Sequence, residues 1–466
     1  MPPSPSQQPD QTVSADPTQR WLQRIVAAFA LLLFAETWRL WTLQADFPQV
    51  PLPGWGANLP PWFDWLVLVG LLGSLGVAVA FRAESRLARG GWLAFVGCLI
   101  VLVIGDQHRL QPWAYQFGLM ALAFGTLPAR CGLVWVRVLV VSIYVFSALS
   151  KLDVAFCDTL GQRFLEVLLP RIGLSMSLWS EAAKRGAAMM FPAFELLVGT
   201  GLCWSRTRRV ALVASIAMHA LMLFILGPWG LNHRPGVLLW NGFFVVQNVM
   251  LFWKRDRADC PSPAAPLPQG ERGDGPSSPE RCPLEGAASP PLAPAAEEGP
   301  GVRGERSRML LAWMTHSVLS LAVVAPLLEP WGLCDNWIAW GLYAVHGDRT
   351  AVFVHEAAIE KLPARIREHA VAEPAAAPWV RVKIDRWSLA TLDAPIYPAP
   401  RFETGVALAL ADAARLNDDE LRIRFEGPAD RWTSRRESSD VTGLANVRSA
   451  ASAFWLNALP RGKVTP

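Results

Sequence analysis

Eight apolar runs crowd the segment between residues 20 and 254, and a ninth follows at 309–328. A helix needs roughly 20 mostly apolar residues to cross about 30 Å of hydrocarbon, and only helices and closed barrels satisfy their backbone polar groups in lipid. The runs therefore predict an all-α polytopic membrane helix bundle of about nine transmembrane helices. They fall at about 21–43, 63–81, 91–106, 113–127, 132–150, 188–204, 210–227, 237–253 and 309–328. The third and fourth are short, and Asp106, Gln107, His108, Arg109 and Pro112 break between them, so they form either a tight hairpin or one partly re-entrant element.

Composition agrees with lipid: 52% of the chain is hydrophobic, it carries 22 Trp, and only 18% is charged. The net charge of +4 resides largely in short arginine clusters beside apolar runs, with no basic stripe or binding motif, so no nucleic-acid partner is expected. Seven cysteines, at 98, 131, 157, 203, 260, 282 and 334, form no CxxC pair and signal neither a zinc site nor a dense disulfide framework. Residues 1–19 are rich in Pro, Ser and Gln and lack a secretory cleavage signal, so the first run is expected to remain as a signal anchor. No GxxxxGK[ST] loop is present, and no matched pair of broken helices suggests an inverted-repeat transporter.

Lys and Arg bias the short cytosolic loops of membrane proteins. With nine spans and a cytosolic N-terminus, the cytosolic segments hold Arg20 and Arg24, then Arg82, Arg86 and Arg89, then Arg130, then Arg206, Arg208 and Arg209, then Lys254, Arg255 and Arg257. The opposite side takes ADFPQVPLPGWGANLPPWFD, which has no Lys or Arg, and two short loops with Arg109 and Arg234 singly. The exception is the stretch from Lys151 to about residue 187, whose TLGQRFLEVLLPRIG segment has the apolar spacing of an interfacial helix.

Residues 255–308 are a Pro, Gly and Ala tract with almost no large apolar side chains, which predicts a disordered cytosolic linker. Beyond the last span, residues 329–466 are expected to form a small C-terminal α+β extramembrane domain on the periplasmic, lumenal or extracellular side. There RVKIDRW (381–387) and LRIRFEG (421–427) alternate as half-buried strands do, while VALALADAARL (406–416) and ANVRSAASAFWLNAL read as helices. The Trp-rich WGLCDNWIAWGLY (331–343) offers a surface for packing on the membrane domain.

The most informative stretch is IYVFSALSKLDVAFCDTLGQRFL (143–165), where a membrane helix ends at Ser150 and Lys151 sits at the boundary with Asp153 beyond it. Desolvation at an apolar edge lowers the pKa of a lysine in general and makes it a base or nucleophile. Equally, such a lysine can snorkel while Asp153 caps the next helix. A charge at a helix centre costs about 2.5–3.5 kcal/mol on insertion scales, so intramembrane polar residues are expected to face inward and pair. Glu36 lies three residues before Arg39, a helical neighbour. Glu195 has no basic residue in its own span, and Lys151 across the bundle is a partner that serves either stability or proton transfer. His219 lies deep in its span, and Asn241, Gln247 and Asn248 are expected in interhelical hydrogen bonds. Asp106 and His108, and His233 with Asn232, either line the same outer mouth or are solvated loop residues. Cys157 and Cys334, both placed outside, permit a disulfide. His346, His355 and Glu356 lack a zinc-binding spacing and read as surface residues, so no metal site is expected.

The 143–165 segment resembles the Y-x-x-A-G-x-x-K-L-D signature of vitamin K-dependent gamma-glutamyl carboxylases and their bacterial relatives, the horizontally transferred transmembrane (HTTM) domain family. The similarity runs over roughly residues 20–254 and extends to the wider DoxX-like and MauE-like group. This chain reads SALSKLD where the signature has its glycine, and its polar tail is much shorter than the carboxylase lumenal region. The resemblance implies that Lys151 is the base acting on a hydroquinone, that His219 belongs to the same catalytic site, and that a quinone or hydroquinone is the bound species; Glu195 joins these candidate catalytic residues as the partner of Lys151. It also implies a cytosolic N-terminus and a lumenal C-terminal portion.

Two readings stay open at this point. One is a membrane-embedded enzyme acting on a small lipophilic substrate reached from the bundle. The other is a non-enzymatic transporter, assembly or scaffold protein whose tail binds a non-cytosolic protein.

Overall fold

The structure, a computed structural model, describes residues 17–253 and 300–461, with only the backbone described over 300–307. The expected linker lies mostly outside the described residues. Helices stand at each of the nine apolar runs: α1 (Pro17–Glu36), α2 (Pro61–Ala80), α3 (Arg86–Gly105), α4 (Pro112–Thr126), α5 (Ala129–Leu149), α8 (Glu181–Cys203), α9 (Arg208–Leu226), α10 (Pro235–Phe252) and α11 (Pro300–Val324). Two short helices, α6 (Val154–Asp158) and α7 (Leu160–Leu168), follow α5 in the stretch expected to lie at the interface. Seven of the nine are long and apolar enough to cross a membrane. The other two are α1, which carries Gln19, Arg20, Gln23 and Arg24 in its first turns, and α4, which has only 15 residues. The last helix begins at Pro300, earlier than the expected boundary at 309.

Local chemistry sets the helix starts. Proline occupies the first turn of α2, α4 and α10, where its missing N–H is not needed and the preceding residue is extended. Ser85 and Ser180 cap α3 and α8, each side chain accepting a backbone N–H three residues on. The α1 helix ends at Glu36, so Arg39 leaves the helical register. The expected Glu36–Arg39 pair does not form: Arg39 lies over the Trp38 ring and donates to Thr391 O at 3.2 Å.

The C-terminal domain is an antiparallel sheet of order β2-β3-β1-β4-β5, with β1 Arg349–His355, β2 Ala370–Ala372, β3 Trp379–Val382, β4 Leu421–Glu426 and β5 Ser438–Thr442. Its helices are α12 (Ala364–Arg367), α13 (Ile384–Leu392), α14 (Pro400–Ala414) and α15 (Leu444–Ser452). Val352, Val354, Val382, Leu421 and Ile423 turn one face of the sheet toward α14 and α15, and these residues join a single core with Phe402, Val406 and Leu410. The 421–427 strand stands as expected. The 381–387 one does not: the extended chain stops at Val382, and Ile384 and Trp387 are instead buried on α13. On α13 the Trp387 ring packs on Phe47 at 4.7 Å and its Nε1 donates to Asp46 O at 3.1 Å, contacts with the membrane domain that anchor the helix.

This domain sits on the end of the bundle formed by the loops after α1, α3, α5 and α9. Arg461 pairs with Gln49 through the backbone, Asn457 N donates to Leu52 O at 3.1 Å, and His108 Nε2 meets Pro395 O at 2.8 Å. Trp340, from the Trp-rich segment, stacks on Tyr115 at 4.9 Å and is fully buried. Asp106 and His108, read above as lining the outer mouth or as solvated loop residues, are buried under this domain, as is Arg109, and neither Asp106 nor His108 lines the cavity. Beneath them Asp64 of α2 receives two arginines, Arg109 Nη1 at 2.7 Å and Arg461 Nη1 at 2.9 Å, all shielded from water. Leu40 O and Leu102 O accept further N–H groups of Arg109, and Leu59 O and Pro60 O accept those of Arg461.

Removing one partner of such a buried cluster leaves an uncompensated charge. Asp64→Ala is expected to destabilise the protein by about 3–5 kcal/mol. The expected readout is a lower melting temperature in detergent micelles and faster proteolysis of the segment following residue 330. Melting and proteolysis like those of the parent would show that the cluster does not hold the domain down.

Candidate functional site

Lys151 follows the last turn of α5, and a chain leaving a helix at that point would ordinarily extend such a side chain toward water. Here it turns back: Nζ donates to Ser147 Oγ one turn earlier at 2.6 Å and pairs with Glu195 Oε2 of α8 at 2.8 Å. Leu342 O of the segment leading to the C-terminal domain lies 3.5 Å away. The two charged side chains are only 10% and 16% exposed, so the pair sits largely out of water. Close packing of α5 on α8 makes this possible, because a Cβ on Gly199 would lie 2.7 Å from that of Tyr144.

Two turns before Lys151 on the same face of α5, Tyr144 begins a second group roughly 10 Å deeper. Its hydroxyl lies 2.6 Å from His219 Nε2 of α9. His219 Nδ1 meets Asn241 Oδ1 of α10 at 3.0 Å, and Asn241 Nδ2 donates to Val237 O, which fixes the amide's orientation. Facing an acceptor, Nδ1 carries the proton of the neutral ring, which leaves Nε2 to accept from the Tyr144 hydroxyl. Asn248 Nδ2 donates to the Tyr144 oxygen at 2.6 Å and to Ser215 Oγ at 3.2 Å. Gln116 donates to Gln247 Oε1 at 3.1 Å. The expected interhelical hydrogen bonds of Asn241, Gln247 and Asn248 are therefore all present.

Both groups open onto one cavity of about 660 Å³, bounded by α5 to α10 and by the C-terminal domain. Lys151, Glu195 and His219, singled out in the sequence, all line it, and so does His233. Its walls are aromatic and apolar, with Phe156, Phe164, Phe191, Trp240 and Phe244 among them. The His219 ring stacks on Phe244 at 5.0 Å. Leu342, Tyr343, Leu389 and Pro395 of the C-terminal domain form its roof. The sequence reading missed Tyr144 and Ser147, although their spacing of seven and four residues from Lys151 places both on its helix face. The roof carried no such signal, since its residues lie about 190 or more positions away in sequence.

Asp153 does not join the cavity. Its Oδ1 accepts the Phe156 N–H at 2.5 Å and so caps α6. Its Oδ2 faces His346 Nδ1 at 3.3 Å, while His346 Nε2 meets Glu329 Oε1 at 2.8 Å. His346, expected at the surface, is buried between the two carboxylates, hydrogen-bonded to Glu329 and 3.3 Å from Asp153. Burial opposes its charge, but Asp153 and Glu329 outweigh burial and raise its pKa to about 9. Cys157 and Cys334 are free thiols, so the permitted disulfide is not formed, and burial pushes each up to about 11. No cluster able to hold a metal ion occurs among the described residues.

Comparison of the chain with protein-family models, curated proteins and solved structures finds no match. The class defined by fold and site is thus a multi-pass membrane bundle with a roofed cavity of aromatic walls and a few paired polar groups.

His346 gives a pH prediction. Its folded pKa of about 9 lies above the ordinary 6.5, so its stabilisation is complete below pH 6.5 and is lost as pH rises through 9. The difference corresponds to on the order of 3 kcal/mol. Melting temperature, or hydrogen exchange over 329–346 and 150–158, is expected to report loosening between pH 7 and 10. His346→Gln is expected to start less stable and to flatten that pH dependence; an unchanged slope would refute the assignment.

Proposed function

We propose that this protein is a membrane-embedded enzyme of the HTTM, vitamin K-dependent carboxylase-like type. In this reading Lys151, with Glu195 and His219, manages a proton on a lipid-phase substrate. The N-terminus lies in the cytosol and the C-terminal domain on the opposite side, as the arginine bias of the loops indicates. The observation that carries the reading is the convergence of Lys151, Glu195 and His219 on one cavity. Three polar groups from α8, α9 and the end of α5, paired at 2.6–2.8 Å with their neighbours, face a space otherwise walled by rings and aliphatic side chains.

A quinone or hydroquinone fits this space. The aromatic walls suit a flat ring, and the polar groups lie at two depths. A bound hydroquinone supplies an acidic O–H. Lys151 and Glu195 supply the acceptor. When the cavity fills and water leaves, an ion pair in apolar surroundings loses solvation, which favours moving the proton from Nζ to Glu195 Oε2 across their 2.8 Å contact. The neutral amine then takes the proton of an O–H placed beside it, and Ser147 Oγ at 2.6 Å holds Nζ in position. At the deeper group, Nε2 of His219 accepts from the Tyr144 hydroxyl and the Asn248 N–H donates to the same oxygen, so the hydroxyl is held in one orientation.

The same contacts also bind helices together, an observation that favours the second reading, a transporter or assembly protein without chemistry. Lys151→Ala separates the two. In purified protein supplied with a short-chain hydroquinone, loss of a general base is expected to lower hydroquinone turnover about 10²–10⁴-fold in a variant that still folds, with a lower melting temperature because Glu195 loses its partner. Unchanged turnover and binding in Lys151→Ala would overturn the enzymatic reading. Loss of fold in the variant, with no hydroquinone chemistry in the parent, would support the scaffold.

A further inference from the structure

The cavity has a side that faces neither the roof nor the bundle. At one end α8 and α9 touch: a Cβ on Gly201 would lie 2.9 Å from that of Ala211. Further along, Met190 and Phe194 of α8 and Ala217 and Leu221 of α9 form two i,i+4 stripes that line the cavity. These residues also face outward, Met190 being 65% exposed and Phe194 and Leu221 each 40%. Side chains that line an internal space and are also exposed on the outer surface mark an opening in its wall. Pro192 lies inside α8 between the two stripe residues, where it removes a helical hydrogen bond.

What lies outside that opening follows from depth. Both helices are long and apolar enough to span a bilayer. Ala217 is the central residue of the 19-residue α9, so it stands about 14 Å from either end, in the hydrocarbon. Toward water the same cavity is covered by Leu342, Tyr343 and Pro395, and the Arg234–Asp393 pair at 3.2 Å closes the rim. The cavity volume of about 660 Å³ falls within the roughly 300–1,000 Å³ of pockets that hold a drug-sized ligand.

We propose that the gap between α8 and α9 is a lateral portal from the bilayer. Its occupant is a single-tailed amphiphile whose head reaches Lys151 while its hydrocarbon tail rests between Phe194 and Leu221 and continues into lipid. The proposal deepens the enzymatic reading and rests on it for the identity of the head, whereas the route of access stands on geometry.

Access can be read by thiol labelling. Ile143 lines the cavity and is buried, and no cysteine is among the lining residues. The reporter is Ile143→Cys in full-length protein with its seven native cysteines replaced, reconstituted into phosphatidylcholine vesicles. N-(1-pyrenyl)maleimide dissolved in the bilayer is expected to label it, and a membrane-impermeant sulfonated maleimide is not. Filling the mouth with Met190→Trp and Leu221→Trp is expected to slow the pyrenyl reaction more than about tenfold. A control cysteine at the lipid-facing Val213 should keep its rate. Comparable labelling by the sulfonated reagent, or no slowing in the filled variant, overturns the portal. If the double variant does not fold, Ala217→Phe carries the same comparison. Labelling reports access and Lys151→Ala turnover reports chemistry, so either can fail while the other stands.

Discussion

Asp64 is shielded from water and carries two arginines from distant parts of the chain, one from the loop before α4 and one near the end of the C-terminal domain. Burying three charged groups is costly unless each finds partners, and here the backbone carbonyls of residues 40, 59, 60 and 102 accept from the two guanidinium groups beside Asp64, leaving only Arg109 Nη2 without an acceptor. The arrangement can form only when the C-terminal domain is seated on the bundle. That seating brings Leu342, Tyr343, Leu389 and Pro395 over the cavity and turns a cleft between helices into a roofed chamber.

The chamber in turn sets the electrostatics of what it contains. A lone charge in this position would draw in water or displace the helix that bears it. Lys151 does neither, because Glu195 and Ser147 satisfy it from two sides. The deeper group follows the same rule with neutral partners: every polar atom of the Tyr144–His219–Asn241 chain that faces a neighbour meets a donor or acceptor of the right kind. Such a network holds α5, α9 and α10 in register, and it also leaves the Tyr144 hydroxyl and the Lys151 ammonium at the surface of an apolar space. Helix packing and the polar surface of the cavity arise here from the same hydrogen bonds.

Much of this was legible along the chain. Each apolar run became a helix, because run length and the lack of alternative partners for backbone groups in lipid leave little choice. The isolated Glu195 and the boundary Lys151 could be matched in advance, since an unpaired charge within a span demands a partner and few are available. The failures have a different origin. His346 read as a surface residue, and Asp106 and His108 as mouth-lining or solvated, because they sit in polar loops; a second domain covers those loops, and although the Trp-rich 331–343 segment offered a packing surface, nothing in the sequence says which loops it covers. The segment 381–387 alternates as a strand would, but the chain turns helical and Trp387 is anchored on Phe47 and Asp46 of the membrane domain. Long-range docking overrides local pattern in both cases.

The roof and the chemistry meet in one tripeptide. Lys151 faces the chamber, and Asp153, two residues on, caps α6 with one oxygen and turns the other toward His346 of the roof. His346 also holds Glu329, at the end of the segment that follows α11, and Arg431 of the C-terminal domain donates to Leu149 O at the end of α5. Loosening the roof would therefore free Asp153 and the start of α6, and with them Leu342 O beside Nζ. A head group lodged against Lys151 would press on the same contacts from below. The short turn from α5 into α6 thus joins the cover of the cavity to the residue at its polar end, with the carboxylate of Asp153 in contact with both α6 and His346.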